Sequence, residues 1–184
     1  MSLYDCFMYF DEDLILDLRL HTLNQYVDTF VIAEATKDHA GNDKKLNFKF
    51  SNFSKFKDKI KYLVIEDLPK DVKSNKKNWS PNHLRDQHQR NSLSKGFENC
   101  DDNDLVMISD IDEIPNPSKL SEFKIKNKYA CFMQKNFQSK INMINMSQKY
   151  WGGTKICQKK FLKSPQWLRN IKTKKKAILE ILQT

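Results

Sequence analysis

The sequence predicts an α/β protein with a mostly parallel central sheet flanked by helices and an antiparallel C-terminal extension. Two observations lead there. Short runs that are apolar on both faces, YDCFMYF (4–10), DTFVIAEA (28–35), KYLVIED (61–67) and LVMIS (105–109), alternate with segments of helical character. Strands of that kind belong to parallel sheets covered on both sides by helices. From residue 129 the pattern changes to longer, polar-interrupted strands, YACFMQKNFQSKINMI and YWGGTKICQKKFL, with no helix between them.

Each element has its own signal. DEDLILDLRLHTL (11–23) reads as a helix with acids in its first turn, where the helix dipole favours them. NFSKFKDKI offers one or two helical turns before the third strand. In SPNHLRDQHQRNSLSKGF (80–97), Ser80 is the expected N-cap, Pro81 the first helical residue and Gly96 the end signal. Only Leu84, Leu93 and Phe97 are available there as core contacts, so much of that helix surface must be polar. NPSKLSEFK reads as a short helix, and the final IKTKKKAILEILQT as a basic amphipathic one.

Composition narrows the class. The 184 residues suffice for one domain with a real core, and we read 1–184 as a single domain. No apolar run approaches the roughly 20 residues that span a bilayer. The start, MSLYDCFMYF, lacks a basic n-region and a cleavage site, so a cytoplasmic protein is expected. The four cysteines form no C-x-x-C pair and suggest buried free thiols. The net charge of +9 is unevenly spread: residues 123–184 carry 15 Lys/Arg and one acid, Glu180. A nucleic-acid binder would use such a tail for phosphates, whereas a solvated basic face needs no partner; no nucleic acid is expected.

The informative stretch is LVMISDIDEIP (105–115), in which an apolar strand runs into Asp110, Asp112 and Glu113. Acids also end the other strands at Asp11, Glu34 and Glu66. Ligands of open α/β sheets bind beyond the carboxyl ends of the strands. Residues i and i+2 of an extended chain face the same way, roughly 6.5–7 Å apart, so Asp110 and Asp112 can face one cation. Hard oxygen ligands suit Mg²⁺ or Mn²⁺. Two reaction classes use such a pair: glycosyl transfer from a nucleotide sugar, and phosphoryl transfer with an aspartyl nucleophile. The second normally opens the chain and continues into a Gly/Thr-rich loop; here Glu113, Ile114 and Pro115 follow, past the midpoint.

YDCFMYFDEDLILDLRLHTLNQYVDTFVIAEATKDHAGNDKKLNF, then LRDQHQRNSL, DLVMISDIDEIPNP and YWGGT together resemble glycosyltransferase family 17, which includes the β-1,4-mannosyl-glycoprotein β-1,4-N-acetylglucosaminyltransferase. The resemblance runs from about residue 4 to residue 170. It implies a GT-A-like nucleotide-sugar-binding domain, a UDP-sugar donor such as UDP-GlcNAc, a glycan acceptor, Mn²⁺ or Mg²⁺, and inversion at the anomeric carbon. By position it makes Asp110 and Asp112 the metal ligands and puts Glu34, Arg85, Gln89, Arg90 and Asn91 at the donor.

Other assignments follow from the residues. Arg85 and Gln89 share a helix face, and guanidinium groups bind phosphate oxygens in pairs; a salt-bridged exposed helix is the alternative. Glu34 offers either a ligand for a sugar hydroxyl or a structural ion pair. His39, in a Gly-containing loop, and Trp151, whose indole offers a stacking face beside GGT, are the acceptor-side candidates. His21 and His88 read as helix-surface residues, and His83 and His88 are five apart and form no metal pair. An inverting transferase needs a base at the acceptor hydroxyl, and Glu113 is the remaining candidate. The family pattern continues into a Gly-Trp-His-containing segment not found here, so the chain is either minimal or lacks part of the acceptor site. A binding-only module is the competing reading.

Overall fold

A computed structural model describes residues 1–69, 81–140 and 142–172 and the backbone of 180–183. Its sheet has the order β3-β2-β1-β4-β6-β5-β7, formed by β1 (Leu3–Met8), β2 (Thr29–Ala35), β3 (Ile60–Ile65), β4 (Leu105–Ser109), β5 (Tyr129–Lys135), β6 (Tyr150–Gln158) and β7 (Glu180–Gln183). All pairings are parallel except those of β6 with β4 and β5. One reversed strand therefore makes the C-terminal extension antiparallel, as the sequence predicts.

Both faces of the central strands β1, β2 and β4 are covered, which explains their unbroken apolar runs, whereas the edge strand β3 is buried only at Ile65 and leaves Val64 exposed. Along β2, Phe30 and Ile32 enter one core layer while Val31 and Ala33 enter the other. The first layer is closed by Leu16, Leu20 and Leu23 of α1 (Asp13–Leu23), together with Phe48, Phe53 and Phe56 from the segment around a 3-10 helix. The second is closed by Leu93 and Phe97, which follow α2 (Pro81–Ser92), and by Leu168 of α3 (Pro165–Arg169). Gly96 is needed there because a Cβ would sit 2.1 Å from Val31 Cγ1.

Several expectations change. YACFMQKNFQSKINMI is not one strand: β5 ends at Lys135, and Phe137 pairs with Ile144 only as an isolated bridge. NPSKLSEFK forms a 3-10 helix over Pro117–Glu122, capped by the Asn116 side chain. The five-residue α3 was not foreseen; the Ser164 side chain caps it, with Pro165 at its first position. Residues 180–183 form a strand rather than part of a terminal helix. Ser80 and residues 173–179 lie outside the described residues.

α2 is built unusually. Its buried residues are Arg85, Gln89, Arg90 and Ser92, whereas Leu84 is only half-buried. A polar helix face therefore turns inward, toward the carboxyl ends of β1, β2 and β4.

Candidate functional site

β1 is followed spatially by β2 on one side and β4 on the other, so the strand order reverses between β1 and β4. Open α/β sheets bind ligands at such a switch point. A cleft of about 1200 Å³ opens there, lined by Tyr9 and Phe10 after β1, Asp110–Glu113 after β4, Gln89 and Arg90 of α2, Trp151 of β6 and Arg169 of α3.

Its floor is set by a buried ion pair. Arg19 lies on the inward face of α1 with no solvent exposure, and its guanidinium grips Asp5 of β1 through Nε (2.8 Å) and Nη2 (2.6 Å). Nη1 donates to the carbonyls of Asp110, Ile111 and Glu113 at 3.1, 3.0 and 3.3 Å, and Nη2 also reaches Ser109 Oγ. Three carbonyls that leave the sheet without strand partners thus receive donors from one side chain. The charge of Arg19 is matched by Asp5 in a place where neither would be stable alone.

Above this floor the carboxylates are held by arginines. Arg90 Nη2 donates to Asp110 Oδ1 (2.9 Å), and Arg169 Nη2 bridges Asp110 Oδ2 (2.8 Å) and Glu113 Oε1 (2.7 Å). Glu113 Oε1 also accepts the indole N–H of Trp151 (2.6 Å), and Oε2 accepts the backbone N–H of Asp110 (3.1 Å). Burial pushes the Asp110 carboxyl up, but the two guanidiniums more than reverse it and leave it below the usual range. For Glu113, burial and the neighbouring Asp110 charge outweigh Arg169 and the Trp151 N–H, and its carboxyl stays above the ordinary value.

Asp112 differs. Its exposed side chain lines the cleft and makes no ion pair or hydrogen bond among the described residues. The turn therefore presents two arginine-paired carboxylates, Asp110 and Glu113, and one free carboxylate, Asp112. No group of three or more His, Cys, Asp or Glu suited to a metal occurs among the described residues. A Mg²⁺-type ion nevertheless needs only one or two carboxylates when phosphate and water oxygens complete its shell. The free Asp112 beside Asp110 fits that requirement.

The remaining sequence candidates divide. Gln89 and Arg90 line the cleft; Gln89 also donates to the carbonyl of Ala33 (3.0 Å), and Arg90 is braced by Asp86 and Gln166. His39 and Trp151 are on the cleft wall, with the His39 ring 4.0 Å from Asp86.

Three candidates do not face the cleft. Glu34 is fully buried; it pairs with Lys44 and accepts the N–H groups of Asn47 and Phe48 and the hydroxyl of Tyr62. It pins the 44–48 segment, as a structural pairing with a lysine rather than with an α2 arginine. Arg85 donates to the carbonyls of Pro69 and His39 and backs the Gly41 turn, where φ is +95° and a Cβ would meet its guanidinium. Asn91 accepts the backbone N–H of Gln166, tying α3 to α2.

The sequence reading missed Arg19, Asp86 and Arg169. Asp86 was accessible as an i, i+4 partner of Arg90. Arg19 had a weaker signal, a lone cation at the i+3 position of an otherwise apolar helix face formed by Leu16, Leu20 and Leu23. Arg169 had little signal, because its element is a single capped turn. Its position is fixed by Lys155, which donates to its carbonyl and whose ammonium burial pushes below the ordinary lysine range.

The profile of glycosyltransferase family 17 matches residues 1–151, most of the chain. The chain belongs to glycosyltransferase family 17. None of the curated proteins compared with it matches. The family 17 match takes in the ion pair beneath the turn, the Asp110–Glu113 segment, α2 and Trp151, and it stops short of Arg169. Family 17 membership makes the chain a glycosyl transferase, with a sugar donor and an acceptor as its substrates.

Proposed function

We propose that this family 17 protein is an inverting, divalent-cation-dependent transferase of the GT-A type that moves a sugar, N-acetylglucosamine foremost, from a UDP-sugar to a carbohydrate hydroxyl. The free Asp112 carboxylate beside the arginine-held Asp110, at the switch point of the sheet, carries the reading. A parallel half ending in this cleft, joined to an antiparallel half that supplies its wall, supports the GT-A assignment.

Asp112 and Asp110 would hold Mn²⁺ or Mg²⁺, which when bound neutralises negative charge on a diphosphate leaving group. Arg90 and Arg169 bring two further positive charges to the same spot. The Nη1 of Arg169 makes no hydrogen bond among the described residues, which suits it to a phosphate oxygen, whereas its Nε is buried without a partner. Gln89, between Ala33 and the cleft, belongs to the donor side.

In the reaction the acceptor oxygen forms a bond to the anomeric carbon as the bond from that carbon to the phosphate oxygen breaks. The bonding pair leaves with the nucleoside diphosphate. The acceptor proton passes to Glu113, whose carboxylate is held in place by Trp151, Arg169 and the Asp110 N–H. Trp151 and His39 line the side from which the acceptor enters.

Release of UDP from UDP-GlcNAc, with and without Mn²⁺ and with a panel of glycan acceptors, tests the reading. Cation- and acceptor-dependent release is expected. A second reading, donor binding without turnover, is favoured by one observation: both oxygens of Glu113 already accept hydrogen bonds. Tight UDP-sugar binding with no release for any acceptor would select it.

A further inference from the structure

The rim of the cleft carries apolar side chains that the other described residues leave exposed. Beyond the ends of β5 and β6, the described residues 136–140 and 142–149 form an irregular hairpin closed by bonds from Asn136 N–H to the Lys149 carbonyl and from Gln138 N–H to the Met143 carbonyl. Within and beside it Phe137, Met143, Ile144, Met146, Tyr150 and Trp151 are exposed, Met146 by 73%. Phe137 and Trp151 continue this patch into the cleft wall. Elsewhere on the rim, Leu14 (82% exposed) and Leu18 stand one turn apart on α1, and Phe10 is exposed as well; Leu18 and Phe10 also line the cleft.

The charge around the hairpin has one sign. Lys135, Lys140 and Lys149 are exposed around the apolar tip, and residues 123–172 contain no Asp or Glu at all. A second copy of the chain would bring these like charges together. A lysine-ringed apolar tip with interfacial Tyr and Trp instead matches an anionic lipid surface, where apolar side chains enter the headgroup boundary and lysines meet lipid charge.

We infer that the 135–150 hairpin docks on an anionic membrane surface and, with Leu14 and Leu18, turns the mouth of the cleft toward the bilayer. The exposed Phe10, Phe137 and Trp151 at that mouth then face the acyl or linker portion of an amphiphilic acceptor. This last clause, that the acceptor hydroxyl belongs to a glycan carried on a lipid, rests on the transferase reading; the docking itself does not.

The test is co-sedimentation of the full chain with vesicles of phosphatidylcholine alone and of phosphatidylcholine mixed with phosphatidylglycerol. Wild type is expected to sediment with the mixed vesicles and far less with the neutral ones. Met143→Ser/Ile144→Ser/Met146→Ser and Lys140→Glu/Lys149→Glu should each reduce partitioning about tenfold or more, and the triple serine variant, whose three positions do not line the cleft, should leave UDP-sugar binding unchanged. Absence of sedimentation would overturn the inference. So would binding that salt abolishes but the triple serine variant retains, which would assign it to dispersed lysines. A dimer seen by light scattering that the triple variant converts to a monomer would also overturn it and assign the patch to a second copy. None of these outcomes bears on donor binding, so docking and transfer fail separately.

Discussion

Arg19 and Asp5, both without solvent exposure, form a two-pronged ion pair beneath the Asp110–Glu113 turn, and the spare donors of Arg19 hold three of its carbonyls. The pair joins α1, β1 and the turn after β4 at one guanidinium. It explains how carboxylates can leave a buried strand end in a fixed direction.

Arg19→Met should therefore do two things. Removing one member of a fully buried pair destabilises by about 3–5 kcal/mol, to be read from chemical denaturation. In the fraction still folded, UDP-sugar affinity should fall although Arg19 touches no ligand. Arg19→Lys keeps the charge without the fork, and is expected to recover part of the stability but little of the affinity.

Asp110 and Asp112 should separate stability from binding. Asp112→Asn neutralises a side chain that makes no ion pair or hydrogen bond among the described residues, and its stability should stay within about 0.5 kcal/mol of wild type. Asp110→Asn withdraws charge from both Arg90 and Arg169; a loss of about 1–3 kcal/mol is expected. Thermal or denaturant unfolding of the two variants decides it.

Arg169 should act as a phosphate ligand that Asp110 and Glu113 restrain. Arg169→Ala is expected to weaken UDP binding by about tenfold or more. It should also strengthen binding of Mn²⁺ alone, because a competing cation leaves Asp110. Calorimetry of each ligand separately reads both signs, and a purely structural arginine would weaken both.

The thiols predict an alkaline limit. Burial pushes Cys131 from its ordinary 9.0 up to about 11 and Cys157 up to about 12, and Cys6 and Cys100 are raised as well. Because the folded values exceed the unfolded ones, the stability these thiols contribute is present below pH 9 and is lost as pH rises through the folded values. Unfolding midpoints should decline from about pH 9 upward. At pH 8 a thiol reagent should label the half-buried Cys100 slowly and the other three only after unfolding.

Much of this architecture was legible because burial on both sheet faces writes continuous apolar runs into β1, β2 and β4. The Asp-x-Asp turn was legible for the same reason, since charge at the end of such a run requires an explanation. The donor assignments were less so. Arg85, Gln89, Arg90 and Asn91 lie within one polar helix, but the sequence does not say which of them turns to a backbone carbonyl and which to the cleft. Glu34 ends its strand as Asp110 does, yet a segment ten residues on supplies Lys44 and two N–H groups that enclose it. α3 was invisible because five residues give no helical period, and Arg169 was hidden with it. Arg19 and Asp5 lie 14 residues apart in different elements, so only the fold reveals that one neutralises the other.

The central claim is that Asp112, uncommitted within the fold, recruits the cation that holds a nucleotide-sugar donor. Titration calorimetry of UDP-GlcNAc, with and without Mn²⁺, on wild type and Asp112→Asn tests it most directly. The account predicts that Mn²⁺ tightens binding to wild type by at least about tenfold, as expected when one charge-assisted contact is gained, and that Asp112→Asn, folded and equally stable, loses that gain. Binding that Asp112→Asn leaves unchanged, or that is indifferent to Mn²⁺ in wild type, would contradict it.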